Sequence, residues 1–232
     1  MKDRSTIGQR LTGRHRLLCK MAGDLEGEEI LDLGCGFGWF ERYAMDRGCQ
    51  RIVGVDTNPR LIELCRLGLP RAEFLLLDAT NVTPDIGTFS VLCMFDFIEH
   101  LPSGQDVNLL RRTLDLLSPQ GRLLLSVPYL SLLSAALDPA FYFGHRHYSV
   151  RRIEELLRSA GFRVRRTYFA GGVWEQISMI WLYIFKWVFK REMPYQDFFE
   201  RKRTPEYENY RPHPSIRACA TMFVEAVPRD SP

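Results

Sequence analysis

The sequence predicts an α/β fold built on a mainly parallel sheet of seven strands. Short apolar runs alternate with segments of helical apolar periodicity, and this alternation is typical of repeated β-α-β units. The 232 residues suit one globular domain with room for an insertion. We expect the core to cover about residues 25–170 and 218–228, and the insertion to cover about residues 172–217.

Turn and capping residues set the limits of the predicted elements. Gly48 is placed to end the first helix of the core, and Asn58 followed by Pro59 is placed to begin the next. Ser149 is placed to cap, and Gly161 to end, the helix after the fifth strand. These signals bound seven predicted strands, at residues 29–33, 51–55, 73–77, 90–94, 122–127, 162–169 and 220–227, with a turn at 118–121 before the fifth.

Composition and charge argue against several classes of protein. The net charge of +3 is too small to indicate nucleic-acid binding, and no specific nucleic-acid motif is found. The six cysteines include no C-x-x-C pair, so they predict neither a zinc site nor a disulfide framework. The first 16 residues lack the apolar core of a secretory signal, so we expect a cytoplasmic location.

Acidic residues end the first three predicted strands: Asp32, Asp56 and Asp78. Because ligands bind outside the carboxyl ends of strands in an open parallel sheet, we expect these side chains at one ligand site. Asp56 is placed to accept hydrogen bonds from both hydroxyls of a ribose. Asp78 can accept from an adenine amine, and Asp32 can balance an α-amino group. Three glycines let the turn after the first strand approach a ligand, at positions Gly34, Gly36 and Gly38.

These segments resemble the motifs of class I S-adenosylmethionine-dependent methyltransferases. Residues 30–38, ILDLGCGFG, look like the first motif, an acidic residue followed by G-x-G-x-G. Residues 53–56 resemble the second motif and residues 77–79 the third. Residues 89–101 are similar to the fourth-strand segment that commonly closes with Glu-His-Leu, and residues 117–125 to the turn and fifth strand.

The resemblance covers about residues 25–168 and resumes at the final strand. It implies a Rossmann-like sheet with helices on both faces, an antiparallel last strand, and S-adenosylmethionine as cofactor. A nicotinamide-dependent dehydrogenase is the main competing interpretation, but its G-x-G-x-x-G fingerprint needs a glycine where Trp39 stands. The cofactor-binding residues that we predict are Asp32, Gly34, Gly36, Gly38, Asp56, Asp78, Ala79 and Phe95.

Two segments could supply catalytic groups. Asp96, Glu99 and His100 follow the fourth strand and would share one face of a helix if a helix begins there. They could hold a divalent metal, provide a base with its partner, or only pack the helix against the cofactor turn, and we predict no metal. His145 and His147 lie in a loop that faces the acceptor in related enzymes, although the loop could simply lead into the Ser149 cap. The candidate catalytic residues are therefore His100, His145 and His147.

The acceptor is expected to be small or lipid-like, with methylation at oxygen rather than nitrogen. This preference rests on the histidines and on the resemblance to quinone-type O-methyltransferases, since a hydroxyl acceptor needs a general base. Two other classes stay open. One is a macromolecular methyltransferase acting on RNA or protein, and the other is a non-catalytic cofactor-binding interaction module.

The insertion contains a strongly apolar stretch, residues 177–189, in which eleven of thirteen residues are apolar or aromatic. It is too short to cross a bilayer, which needs about 20 residues. It could lie in a membrane interface, cover the cofactor cleft as a lid that forms an acceptor pocket, or be buried against the domain or a second copy. Residues 191–217 are predicted to be ordered but irregular.

Overall fold

The structure is a computed structural model, and it describes residues 11–102, 104–131, 134 and 146–229. Within these residues the strands are β1 Glu29–Leu33, β2 Arg51–Asp56, β3 Glu73–Leu76, β4 Phe89–Phe95, β5 Leu117–Pro128, β6 Phe162–Ala170 and β7 Thr221–Pro228. They form one sheet in the order β3-β2-β1-β4-β5-β7-β6. Strands β1 to β5 pair in parallel, and β7 is antiparallel to both β5 and β6. The predicted Rossmann-like sheet with an antiparallel last strand is therefore confirmed.

The helices of the described residues begin and end largely where the capping residues predict. Asn58 accepts hydrogen bonds from the amides of the first turn of its helix, and Ser149 accepts one from the amide of Arg152. Gly161, in the left-handed region, ends the helix that Ser149 begins. The helices are α1 Gly13–Ala22, α2 Trp39–Asp46, α3 Pro59–Gly68, α4 Gln105–Leu116, α5 Val150–Ala160, α6 Val173–Tyr183 and α7 Gln196–Glu208.

Both faces of the sheet are covered, because the central strands carry apolar side chains on both sides. Successive residues of a strand point to opposite faces. Ile30 accordingly packs in one apolar cluster, which contains Phe40 of α2, whereas Leu31 packs in the other, which contains residues of α4 and α5. This arrangement leaves the carboxyl edge of the sheet as the place where polar side chains collect.

Two expectations about local structure were wrong, and one helix had not been expected. Residues 118–121 do not form a turn before the fifth strand, since β5 already begins at Leu117 and pairs with Phe89 through an irregular register. Residues 191–217 are not irregular throughout, because α7 occupies Gln196–Glu208 despite the proline at position 205. Helix α1, which no pattern predicted, packs against α7, and Gly13 lies too close to Thr204 for any larger residue.

Candidate cofactor and acceptor site

The glycine turn between β1 and α2 has the conformation that the sequence predicts. Gly34, Gly36 and Gly38 have φ angles of 88°, 53° and 67°, in the left-handed region that favours glycine. A side chain at Gly34 would also meet the ring of Phe97, 2.5 Å from its first carbon. The turn is hydrogen-bonded to the end of β2, since the Gly34 amide donates to the carbonyl of Val55 over 2.8 Å.

Asp56 and Asp78 lie at the carboxyl ends of β2 and β3, as predicted. Asp56 is half-buried and accepts from the amide of Gly36 over 3.0 Å and from that of Asn58 over 2.8 Å, so its carboxylate is fixed against the glycine turn. Asp78 is exposed and accepts from the amide and hydroxyl of Thr80, both over 2.8 Å. Ala79, in the short turn that Asp78 caps, is buried.

Asp32 is the buried member of the acidic set. It is 2% exposed, and its Oδ1 atom has no hydrogen-bond partner among the described residues. Burial, with a smaller contribution from the charge of Asp56, raises the pKa of Asp32 to about 7. A buried carboxylate without a partner is unfavourable, and a bound cation would compensate for it. These residues thus fit S-adenosylmethionine, whose α-ammonium group would lie at Asp32 and whose ribose would lie at Asp56.

A second carboxyl group, which sequence analysis missed, lies beneath the same turn. Glu41, in the first turn of α2, is completely buried, and neither of its carboxyl oxygens has a hydrogen-bond partner among the described residues. Gly54 of β2 makes room for it, since a side chain at position 54 would lie 2.5 Å from the Glu41 Oε1 atom. Burial and the nearby charge of Asp32 raise the pKa of Glu41, which favours its neutral form.

Helix α1 supplies one wall of the site. The ring of His15 stacks on Trp39 with centroids 4.2 Å apart, and Trp39 contacts Phe95, which is half-buried at the end of β4. The guanidinium of Arg14 donates to the carboxylate of Asp96 over 2.5 Å. Arg14 and Asp96 are 82 positions apart in the chain, so no local pattern could have predicted this contact.

Asp96, Glu99 and His100 do not share one face of a helix, because the helix that their spacing would require does not begin at Asp96. Asp96 has a φ of 52°, outside the helical region, and only a single 3-10 turn, Ile98–His100, follows it. The Asp96 carboxylate accepts from Arg14 and from the hydroxyl of Ser126. Among the described residues, no group of three or more His, Cys, Asp or Glu side chains is placed to hold a metal ion.

The other two side chains of this segment differ in environment. Glu99 is 3% exposed, and burial raises its pKa, with a further contribution from the charge of Asp96, although Arg14 and Arg146 act in the other direction. His100 is at the surface, yet partial burial of its ring lowers its pKa below 6.5, although Asp96 acts in the other direction. The raised pKa favours the acid form of Glu99, and the lowered pKa favours the neutral imidazole form of His100, which can accept a proton.

Residues 146–148, which belong to the segment of His145 and His147, hold the turn Ile98–His100 in place. Arg146 donates to the carbonyl of Ile98 over 2.5 Å and to the carboxylate of Asp106 over 3.1 Å. Tyr148 is buried and donates to the same carbonyl of Ile98 over 3.3 Å. His147 lies between these two anchors and is half-buried, whereas His145 lies outside the described residues.

The start of the insertion is fixed by ionic contacts with α7. The carboxylate of Glu206 accepts from the amides of Gly172, Trp174 and Glu175 over 2.8–3.0 Å, which satisfies the first turn of α6. Arg203 lies 3.6 Å from the carboxylate of Glu175 and 2.7 Å from that of the α7 residue Glu200. Glu200 in turn accepts from the amide at the start of α1. The insertion and α1 are thereby joined beside the Arg14–Asp96 pair.

Comparison with known proteins agrees with this geometry. Residues 9–167, more than half of the chain, match the methyltransferase domain family. Phosphoethanolamine N-methyltransferase 3 of Arabidopsis thaliana is 29% identical over 59% of this chain and 29% of its own length. The ubiquinone biosynthesis O-methyltransferase of Xanthomonas oryzae is 29% identical over 44% of each chain. The chain spans less than a third of the length of the phosphoethanolamine N-methyltransferases that it matches.

Solved structures share this fold over most of the chain. An S-adenosylmethionine-dependent methyltransferase from Mesorhizobium loti superposes with a TM-score of 0.63 at 18% identity, covering 92% of this chain and 97% of that one. The chain belongs to the methyltransferase domain family. It is a class I S-adenosylmethionine-dependent methyltransferase domain, and its cofactor is S-adenosylmethionine.

Proposed function

We propose that this protein transfers the methyl group of S-adenosylmethionine to an oxygen atom of a small or lipid-like acceptor. His100 carries this proposal, because it lies at the surface just beyond the carboxyl end of β4 and its lowered pKa favours the neutral imidazole, the form that accepts a proton. A hydroxyl is a poor nucleophile until its proton is removed, so a base at this place suits an oxygen acceptor. The similarity to an O-methyltransferase of ubiquinone biosynthesis supports the same assignment.

A nitrogen acceptor is the second candidate. The carboxylate of Asp96 lies at the same edge, beside the acidic side chain of Glu99, and acidic groups attract an amine. The similarity to phosphoethanolamine N-methyltransferases supports this alternative. The observation that favours oxygen is the environment of the acidic groups: Asp96 is already paired with Arg14, and Glu99 favours its neutral form.

A macromolecular acceptor has little support. Seven arginines lie between positions 146 and 166 and would have to line a wide basic cleft, but at least four of them form ion pairs within the described part of the domain. Arg146 pairs with Asp106, and Arg151 pairs with Glu155. Arg165 and Arg166 both pair with Glu225 of β7. These pairs would neutralise much of the charge that a nucleic acid needs.

The proposal includes a place of action at the surface of a membrane, where a lipid-like acceptor would be taken from the bilayer through residues 177–189. Within the described part of the chain, no helix is long and apolar enough to cross a membrane. All six cysteines are free thiols, which suits a reducing compartment and supports a cytoplasmic location.

Methyl transfer to three acceptor classes tests the proposal: an alkyl-substituted catechol, phosphoethanolamine, and total RNA. We expect product only from the catechol, with a rate that falls as pH drops below the pKa of His100. His100→Ala should lower kcat about 100-fold or more, in line with the usual contribution of a general base. His213→Ala, at an exposed loop position, is the matched control and should leave the rate unchanged. Methylation of phosphoethanolamine alone, or full activity of His100→Ala, would overturn the oxygen assignment.

A further inference from the structure

The outer part of the insertion exposes a continuous apolar surface. Helix α6 runs into a π-helical turn, Ile184–Phe189, which we term the apolar tip. Within it Trp187, Val188 and Phe189 are 42%, 70% and 55% exposed. Single exposed apolar residues are ordinary, but a contiguous apolar patch marks a surface that binds something.

The polarity of α6 is inverted relative to a helix on a water-facing surface. Its buried residues are all polar, namely Glu175, Gln176 and Ser178. Its large exposed side chains include Ile177 and Leu182. A helix between a protein core and water does the opposite, since both burying polar groups and exposing apolar ones are unfavourable. The outer face of α6 therefore has the composition that suits apolar surroundings.

This inversion is built into the contacts of the helix. The Glu206 carboxylate holds the first-turn amides, and Arg203 pairs with Glu175 on the inner side. Ser178 donates to the carbonyl of Glu175 over 2.7 Å. The contacts with Glu206 and Arg203 join α6 to α7, so the helix cannot turn its apolar face inwards without breaking them.

The charges of this stretch identify the kind of surface that it fits. Between residues 173 and 191 the only acidic side chain is Glu175, which is buried, while Lys186, Lys190 and Arg191 are all exposed; with the exposed Glu192 that follows, the net charge of this surface is still positive. Aromatic and aliphatic side chains flanked by lysines are typical of helices that lie in the interface of an anionic bilayer, with the lysines reaching the headgroups. At ~1.5 Å per residue, residues 177–189 span ~20 Å, less than the ~30 Å hydrocarbon core, so they would lie in the surface rather than cross it.

We propose that the outer face of α6 and the apolar tip bind the surface of an anionic lipid bilayer. Residues 187–189 enter the outer part of the acyl region, and the three cations lie among the phosphate groups. The binding deepens the proposed function, because α6 begins beside the Arg14–Asp96 pair and would bring the acceptor side of the domain to the lipid. It does not depend on methyl transfer.

Co-sedimentation of the full chain with lipid vesicles tests this proposal. We expect binding to vesicles that contain phosphatidylglycerol, weaker binding to pure phosphatidylcholine, and weakening by added salt. The triple variant Trp187→Ser, Val188→Asn, Phe189→Ser should reduce the binding at least tenfold. The matched control is Ile216→Ser, at an apolar side chain that is 76% exposed outside this surface, and it should bind like the wild type.

The melting temperature and the S-adenosylhomocysteine affinity are measured alongside vesicle binding, so that a loss of lipid binding can be told apart from a loss of the fold or of the cofactor site. The triple variant should keep the melting temperature and the S-adenosylhomocysteine affinity of the wild type, because the three side chains lie on the surface. Equal vesicle binding by the variant, absence of binding by the wild type, or a dimer in light scattering that the variant dissociates would each overturn the bilayer proposal. Vesicle binding by a chain that fails to bind S-adenosylhomocysteine would contradict the proposed function instead.

Discussion

Replacing Asp32 by asparagine should stabilise the protein while weakening its cofactor binding at least tenfold. Burial raises the pKa of Asp32 to about 7, whereas an unfolded aspartate titrates near ~3.9. At ~1.4 kcal/mol per pKa unit, this difference corresponds to about 4 kcal/mol of native-state destabilisation when the carboxylate is ionised. Burying the asparagine amide without a partner costs about 1–3 kcal/mol, so we expect a net gain of about 1–3 kcal/mol at pH 8.

The sign of the pH dependence follows from proton binding. Between about pH 4 and pH 7 the native protein keeps the proton of Asp32 while the unfolded chain has lost it, so the native state binds more protons. The free energy of unfolding must therefore fall as pH rises through this range. Asp32→Asn removes this contribution, and its stability should fall less over the same range than that of the wild type.

Urea denaturation at pH 5 and pH 8, together with calorimetric titration, measures both effects. We expect Asp32→Asn to bind S-adenosylhomocysteine at least tenfold more weakly, because a charged hydrogen bond contributes about 1.5–3 kcal/mol. A variant that is less stable than the wild type at pH 8 and still binds the ligand with wild-type affinity would refute the reasoning, since Asp32 would then be a structural residue.

Three further substitutions test other parts of the site. Asp56→Ala should weaken S-adenosylhomocysteine binding at least tenfold in calorimetry, since a carboxylate bridging two hydroxyls contributes about 1.5–3 kcal/mol, and unchanged affinity would remove Asp56 from the site. Gly34→Ala should destabilise the protein by more than about 1 kcal/mol in urea, because its φ is left-handed and the ring of Phe97 blocks the new methyl group, so a wild-type midpoint would contradict this account. Glu206→Ala should speed amide hydrogen exchange in the first turn of α6, whereas Glu208→Ala, at an exposed position, should not. Equal protection of these amides in both variants would contradict the role of Glu206 in holding the first turn.

The sheet and the glycine turn could be predicted because their signals are local. Each of the first three predicted strands has an acidic residue at or next to its carboxyl end, namely Asp32, Asp56 and Asp78. The glycines of the turn begin two positions after Asp32. The parallel topology then brings these groups to one edge without further information. The first four strands, the glycine conformations and the positions of Asp56 and Asp78 could all be predicted in this way.

The walls of the site could not be predicted, because their contacts join distant and polar segments. Helix α1 has little apolar periodicity and is held by α7, which itself contains Pro205. Arg14 reaches Asp96 and Glu206 reaches the start of α6 through the folded chain, and neither pair has a sequence spacing that marks it. The spacing of Asp96, Glu99 and His100 would place them on one face only if a helix began at Asp96. In the structure Asp96 has a left-handed backbone conformation instead, and it forms two hydrogen bonds with Ser126.

Calorimetric titration of the folded chain with S-adenosylhomocysteine, with NAD as the control ligand, tests the central claim most directly. The account predicts micromolar binding of S-adenosylhomocysteine and no heat from NAD. Because the pKa of Asp32 would fall when an ammonium group binds beside it, the titration at pH 6.5 should also release protons to the buffer. Binding of NAD, or binding of neither ligand by a folded sample, would contradict the assignment of this edge as the donor site.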